Sequence, residues 1–210
     1  MNARQCLYGS MLAAAFIMVV APQAVLADPA SHDVQIYAGE IFGDRLTATP
    51  ITGRYPILND NATFGARYTY GLSRSFALQL AAGYSAGRAA QVVTGDSSLG
   101  LTTADLDVLF NVTPMLILGG RRFVLYTELG VGYAWTDLQH PLLGSIAGMP
   151  VRLDGSNDYT ANIGFGAEYY LTEEFFVDLD ARYRYMRGLV SRHSQGLNTA
   201  QTTLGVGYAF

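Results

Sequence analysis

The sequence predicts an all-β protein: a transmembrane, antiparallel, up-and-down β-barrel of about eight strands. Three observations predict this fold class. Apolar and polar residues alternate with a period of two in several segments, aromatic residues collect at the ends of those segments, and the gaps between them are alternately short and long. The strands are expected near residues 33–43, 61–72, 75–86, 101–112, 121–136, 158–171, 175–186 and 199–210.

The beginning of the chain predicts export. Residues 1–27 carry an early Arg4, an apolar run over residues 11–21 and a small residue at Ala27, as a cleaved signal peptide does. The apolar run is well short of the roughly 20 residues that a membrane-spanning helix needs. Residues 28–210 are therefore expected to form the barrel domain. They contain no cysteine that an oxidising periplasm could link.

Composition narrows the range of partners. The 23 glycines, the 14 tyrosines and the 50% apolar content, against 14% charged residues, fit alternating strands in lipid. A net charge of −4 leaves no basic patch to neutralise phosphates, so nucleic acid is not expected as a partner. The three dispersed histidines, with no cysteine after residue 27, predict neither a metal site nor a bound cofactor.

The placement of the aromatic residues separates a membrane barrel from a soluble β-sandwich, which would show the same alternation. The rings fall into two groups on the apolar face, and such rings favour the two interfaces of a membrane. We therefore expect two aromatic belts. One belt consists of Tyr84, Tyr133, Trp135, Tyr183 and Tyr185; the other consists of Tyr68, Tyr70, Phe76, Phe110, Tyr169, Tyr208 and Phe210.

The connections between strands predict the orientation of the barrel. Residues 72–75 and 172–174 read as tight turns, and residues 113–120 as a somewhat longer one. Between them lie longer segments at 44–60, 87–100, 137–157 and 187–198. Short turns in the periplasm and longer loops outside the cell, with both ends of the chain on the periplasmic side, are typical of barrels inserted into an outer membrane.

The last strand carries the clearest resemblance to a known family. Its sequence, TTLGVGYAF over residues 202–210, ends on an aromatic residue, and LGVGYA recurs over residues 129–134. The chain resembles the small outer-membrane β-barrel proteins grouped with the membrane domain of OmpA and with OmpX. The resemblance implies a bacterial outer-membrane location in contact with lipid and lipopolysaccharide. It also implies recognition by the barrel-assembly machinery through Leu204, Val206, Tyr208 and Phe210, which equally suit a lipid-facing belt. Unlike OmpA, this chain is expected to lack a peptidoglycan-binding module.

The polar face of the strands predicts a charged lumen. Its parity assigns six acids and three arginines to the interior: Arg67, Asp105, Asp107, Glu128, Glu168, Asp178, Asp180, Arg182 and Arg184. An eight-stranded barrel holds little beyond its own side chains, so we expect these charges to pair across a packed core. The alternative is a narrow polar path beside the inward glycines Gly130, Gly132, Gly164, Gly166, Gly205 and Gly207, which equally suit sharp bends.

An enzymatic function has little support in the sequence. A general base beside a nucleophile occurs at His193-Ser194, in the last external loop. The lipid A deacylase family carries its histidine and serine one residue apart with a following asparagine, whereas here they are adjacent and Gln195 follows. We therefore expect no enzyme, and deacylation is the weakest of the alternatives.

The third external loop, residues 137–157, is unusually apolar. It either folds onto itself as a hairpin or forms a contact surface for lipopolysaccharide acyl chains, a hydrophobic ligand or a protein. The first functional hypothesis is a structural or surface-interaction barrel with a filled lumen. The alternative is a narrow porin-like channel for small solutes, as in OmpW-like barrels, and the charged interior favours the first.

Overall fold

The computed structural model describes residues 32–43, 45, 57–90, 97–112, 123–139, 142–146, 149–153, 155–187 and 196–210. The predicted signal peptide at residues 1–27 lies outside these ranges, as do His193 and Ser194. No helix in the described ranges is long and apolar enough to cross a membrane.

Eight long antiparallel strands close into a barrel in the described part of the chain. The strands are β1 (His32–Phe42), β3 (Asn61–Gly71), β4 (Phe76–Ala90), β5 (Ser97–Asn111), β6 (Phe123–Leu138), β9 (Asn157–Tyr170), β10 (Phe175–Met186) and β11 (Leu197–Ala209). They pair in the order β4-β3-β1-β11-β10-β9-β6-β5, and an additional pairing of β4 with β5 closes the ring. The predicted fold class is thus confirmed.

Three short strands among the described residues lie at the end of the barrel that is predicted to face outside the cell, called the external end below; the opposite end is called the periplasmic end. β2 (Ile57–Leu58) adds to the end of β4, and β7 (Leu142–Ile146) pairs with β8 (Met149–Leu153) as a separate hairpin. The third external loop therefore folds onto itself, which is the first of the two expectations for it. The alternative, a contact surface for lipopolysaccharide acyl chains, a hydrophobic ligand or a protein, stays a hypothesis.

The two predicted tight turns are confirmed, and both use a side-chain hydroxyl. The Ser73 hydroxyl accepts hydrogen bonds from the backbone N–H groups of Ser75 and Phe76. The Thr172 hydroxyl accepts in the same way from Glu174 and Phe175. Serine and threonine stabilise tight turns through such local hydrogen bonds to the backbone, which is why these two connections can be short.

The strands of one hairpin are longer than predicted. β4 runs to Ala90 and β5 starts at Ser97, so the loop prediction is wrong for residues 87–90 and 97–100, while residues 91–96 lie outside the described ranges. β6 also continues two residues beyond its predicted end, to Leu138. Beyond the membrane neither face of a strand must be apolar, so the alternation that marks a lipid-embedded strand fades while backbone pairing continues.

The barrel reverses the distribution of apolar and polar side chains that a soluble protein shows. Large apolar side chains cover its outside, with Ile36 at 71% and Leu129 at 65% exposure. Most of the ionised and amide side chains of the strands point inward and are buried. Such a molecule is stable only where lipid covers the outer surface, which is the arrangement expected of a transmembrane barrel.

Candidate functional site: the lumen

The lumen holds three arginines, each of which organises a group of carboxylates. All three guanidinium groups and their partners are almost completely buried, with Arg182 at 4% exposure and Asp107 at 0%. Eight of the nine predicted lumen residues meet in this network. The ninth, Glu168, points into the periplasmic end of the lumen, where the Tyr170 hydroxyl bonds to it; none of the ion pairs among the described residues includes it.

Arg67 organises the periplasmic part of the network. Its guanidinium lies 3.1 Å from Asp178 and 2.7 Å from Asp180, and it donates a third bond to the Thr203 hydroxyl at 3.0 Å. The guanidinium carbon also sits 4.5 Å from the centre of the Tyr37 ring, a cation–π contact. Arginine suits this position because its planar group binds two carboxylates and a ring at once.

Arg182 lies at the centre of the lumen and is surrounded by acids. Its Nη2 donates to Glu128 at 2.7 Å, and its Nη1 lies 3.2 Å from Asp107 and 3.5 Å from Asp105. Its Nε is only 2.6 Å from Glu128 Oε1, but neither atom completes a hydrogen bond, so this approach is an ion pair with poor direction. A fourth carboxylate, Asp180, lies 3.9 Å from Nε.

Arg184 forms the external part of the network. It donates to Asp105 at 2.5 Å and to the side-chain oxygen of Gln201 at 3.1 Å. Five carboxyl groups thus face three guanidinium groups in the connected network, a formal excess of two negative charges when all are ionised. The lumen is therefore electrostatically suited to cations and unsuited to anions.

Uncharged polar residues that were not predicted from the sequence complete the network. Gln35 and Tyr126 both donate to Asp178 at 2.8 Å, Asn162 donates to Asp107 at 3.0 Å, and Thr160 donates to Asp105 at 3.2 Å. Inward parity on their strands is a signal that would have identified all four. Their role is to satisfy carboxylate oxygens that the three arginines leave over.

The inward glycines make room for this network. Asp107 of β5 and Asn162 of β9 both pair with Gly130 on the strand between them, and their side chains bond above it. An added Cβ at Gly130 would collide with the Asp107 carboxylate, and one at Gly132 with Asp105. An added Cβ would collide with an inward side chain at four more glycines: with Glu128 at Gly164, Tyr126 at Gly166, Gln35 at Gly205 and Phe176 at Gly207. The space beside these glycines is filled by neighbouring side chains.

A group of apolar side chains is buried on the external side of the charges. These fully buried residues, which the sequence pattern did not single out, are Ile41, Leu58, Leu99, Leu101, Met186 and Leu197. At the periplasmic end Phe176 is fully buried, with its ring 5.2 Å from that of Tyr170. Leu109 and Tyr126 are also buried. The described interior is thus layered: an external apolar layer, a central charged layer and a periplasmic aromatic layer.

The outer wall carries the predicted aromatic residues in two groups. Tyr84, Trp135, Tyr183 and Tyr185 are exposed towards the external end, with Tyr133 half-buried against the Trp135 ring. At the other end Tyr68, Tyr70, Phe76, Tyr169 and Phe210 are exposed, while Phe110 and Tyr208 are half-buried. Leu204 and Val206 point outward between the groups. Phe210 exchanges backbone hydrogen bonds with His32 and stacks on its ring, so the last residue is part of the barrel wall.

Comparisons with known proteins agree with this geometry. A sequence model of the family described as "outer membrane protein beta-barrel domain" matches residues 11–210. Neisserial surface protein A superposes with a TM-score of 0.61 at 12% identity, covering 87% of this chain and 100% of that one. OprG of Pseudomonas aeruginosa superposes with a TM-score of 0.54 at 14% identity, covering 85% of this chain and 95% of that one. Ail of Yersinia pestis, crystallised with the heparin analogue sucrose octasulfate, superposes with a TM-score of 0.52 at 16% identity. The superposition covers 87% of this chain and 100% of that one. No curated protein matches significantly. At these identities the structural likeness shows the fold alone.

Proposed function

The chain belongs to the family of outer membrane protein β-barrel domains, and we propose that this member is a sealed barrel with a structural and surface-interaction role. It is an integral protein of the bacterial outer membrane, in a family of surface, adhesion and channel-type proteins. The observation that carries the proposal is the layered interior. A solute would have to displace a leucine-rich layer, an ion-pair network and a buried phenylalanine in turn.

The energetics of the charged layer support a filled lumen. Separating a buried ion pair typically costs about 3–5 kcal/mol because a charge is left without a partner in a low-dielectric environment. Arg182 alone has four carboxylates within 3.9 Å. A continuous path for water would require several of these contacts to break together.

The surface-interaction role rests on the external ends of the strands. β4 continues for six residues past Tyr84, which at about 3.3 Å per residue is roughly 20 Å of strand. β5 pairs with it along this extension, and the β7–β8 hairpin lies at the same end. These elements would form a rigid platform outside the cell, available to a ligand or a protein. Residues 1–27 would direct export, and the last strand would be read by the barrel-assembly machinery.

Single-channel conductance of the refolded barrel in planar bilayers tests the sealed lumen. Folding is checked by the faster migration of the unheated protein in a detergent gel. We expect folded protein without discrete conductance steps. Reproducible steps whose cation selectivity falls in Asp107→Asn, but not in Asp137→Asn, would overturn the sealed barrel. Asp137 is an exposed acid outside the lumen and therefore controls for the loss of one charge.

The second candidate function is a narrow cation-selective channel. The formal excess of two carboxylates in the lumen favours it, and the second outcome of the same experiment would establish it. An enzymatic role remains the least supported, since no catalytic group has been identified in the described residues. A deacylation assay on lipopolysaccharide with His193→Ala as the control variant would test that role directly.

A further inference from the structure

A groove lies at the external end of the barrel, and the outward face of β5 forms part of its floor. Thr102 pairs with Tyr84 on one side and with Trp135 on the other, and Gly100 pairs with Ala86 and Asp137. Small residues thus form the floor and two aromatic side chains form the walls. The cavity is about 750 Å³. This lies within the range of roughly 300–1,000 Å³ that small-molecule sites occupy.

Both aromatic walls are held by neighbouring rings. The Tyr84 ring packs on Phe64 of β3 at 5.5 Å, and the Trp135 ring packs edge-on against Tyr133 at 4.8 Å. The Tyr84 hydroxyl leans over Gly100, where an added Cβ would come within 3.3 Å of it. Rings fixed in this way offer flat apolar faces without further loss of side-chain entropy on binding.

Polar groups surround the apolar faces, and the described ones are acidic or neutral. Asp60, Asp137, Asn61, Gln139 and Ser98 line the cavity, and no lysine or arginine is among its described lining residues. Asp60 already accepts a bond from the Gly43 backbone N–H at 3.1 Å, which fixes its carboxylate. Carboxylates and amide oxygens accept bonds from hydroxyl or ammonium groups, and the carboxylates repel anions.

A sugar ring suits both the aromatic faces and the hydrogen-bond acceptors of the groove. Its C–H face is apolar and stacks on aromatic rings, and its edge carries hydroxyl groups that carboxylates and amides can bind. We propose that this groove binds a sugar ring of the outer-leaflet glycolipid, and that the ring is uncharged or bears an amino group. The glycolipid is the source because the groove faces sideways, at the level of the external aromatic belt, where the barrel meets its own membrane. The proposal deepens the surface-interaction role and rests on it.

The test uses the refolded full barrel and its single tryptophan, Trp135, as the reporter. Soluble probes are the trisaccharides of N-acetylglucosamine and of glucosamine, with sucrose octasulfate as the anionic comparison. The matched variants are Thr102→Leu, which fills the groove, and Thr202→Leu, which makes the same change at an exposed position on the opposite wall. Titration calorimetry gives a second readout that does not depend on the tryptophan.

We expect the N-acetylglucosamine or the glucosamine trisaccharide to change the Trp135 emission and to release heat. Thr102→Leu raises the Kd at least about tenfold, the loss expected when roughly 1.4 kcal/mol of contact free energy disappears. Thr202→Leu leaves it within about twofold, as expected of an exposed substitution away from the groove. Asp137→Asn weakens binding of the glucosamine trisaccharide more than that of the acetylated one, because only the former carries ammonium groups.

Vesicles distinguish the source of the sugar. In phospholipid vesicles containing lipopolysaccharide, Trp135 becomes less accessible to an aqueous quencher than in phospholipid alone, and Thr102→Leu removes the difference. Three results would overturn the proposal: neither trisaccharide binds, sucrose octasulfate binds more tightly than both, or a trisaccharide binds while lipopolysaccharide changes nothing. Conductance is measured separately, so failure of the groove and failure of the sealed barrel remain distinguishable.

Discussion

Replacing Arg182 by methionine should destabilise the barrel strongly. Four carboxylates lie within 3.9 Å of the guanidinium. At an effective dielectric constant of about 20, each such attraction is worth roughly 4 kcal/mol before desolvation is counted. Desolvation offsets most of this sum, but without the arginine the acids remain buried and lose their cation. The expected net loss is about 3–5 kcal/mol in the free energy of unfolding.

Urea unfolding of the refolded barrel in lipid vesicles, followed by Trp135 emission, measures this loss. Arg187→Met is the matched control, since Arg187 is exposed just beyond the end of the same strand. The control should change the free energy of unfolding by less than about 1 kcal/mol. A loss below about 1 kcal/mol in Arg182→Met as well would refute the view that Arg182 holds the central layer together.

A double-mutant cycle isolates the closest ion pair that Arg182 makes. Arg182 and Glu128 approach to 2.6 Å, and both are buried. Replacing a complete buried pair by apolar residues is often neutral, whereas removing one partner is costly. Arg182→Met combined with Glu128→Leu should therefore lose less stability than the sum of the two single variants. Strict additivity would show that the two side chains do not interact energetically.

Three further predictions follow from the wall, the turns and the last strand. Gly130→Ala should lower the free energy of unfolding by about 1–3 kcal/mol, because its Cβ would collide with the Asp107 carboxylate. Val131→Ala, at a position that faces lipid, should lower it less, and urea unfolding measures both variants. In intact cells a membrane-impermeant maleimide should label Arg152→Cys in the external hairpin but not Glu173→Cys in the periplasmic turn, and the reverse pattern would invert the proposed orientation. Phe210→Ser should lower the amount of barrel assembled in cells while refolding in vitro stays efficient; an equal loss in both would assign the residue to stability alone.

The forked contacts of arginine explain why ion pairs are tolerated in the buried lumen. All 13 basic residues of the chain are arginines, and the three in the lumen each bind more than one partner. A lysine could not reproduce these forked contacts, because its ammonium is a single point of charge. In a membrane barrel this polar core replaces the apolar core of a soluble protein, since the apolar side chains are needed on the outside.

The sequence by itself determined the fold class, the outward and inward faces of the strands and the two tight turns. The physical reason is that alternation with a period of two is a local property, which lipid enforces on one face of every membrane-embedded strand. Parity also assigned nine acids and arginines to the inward face, since a charged side chain is costly on the part of a strand that lipid covers. The extended β4–β5 hairpin escaped prediction, because outside the lipid that constraint is absent.

Only the tertiary structure decided which side chains meet. The Asp107–Asn162 bond forms between residues 55 positions apart, on strands separated by a third. Its register depends on how the ring closes, and no local pattern contains that information. The same holds for the external leucine layer and for the groove between Tyr84 and Trp135. Parity places each residue inside or outside, but its neighbours around the barrel are set by the shear of eight paired strands.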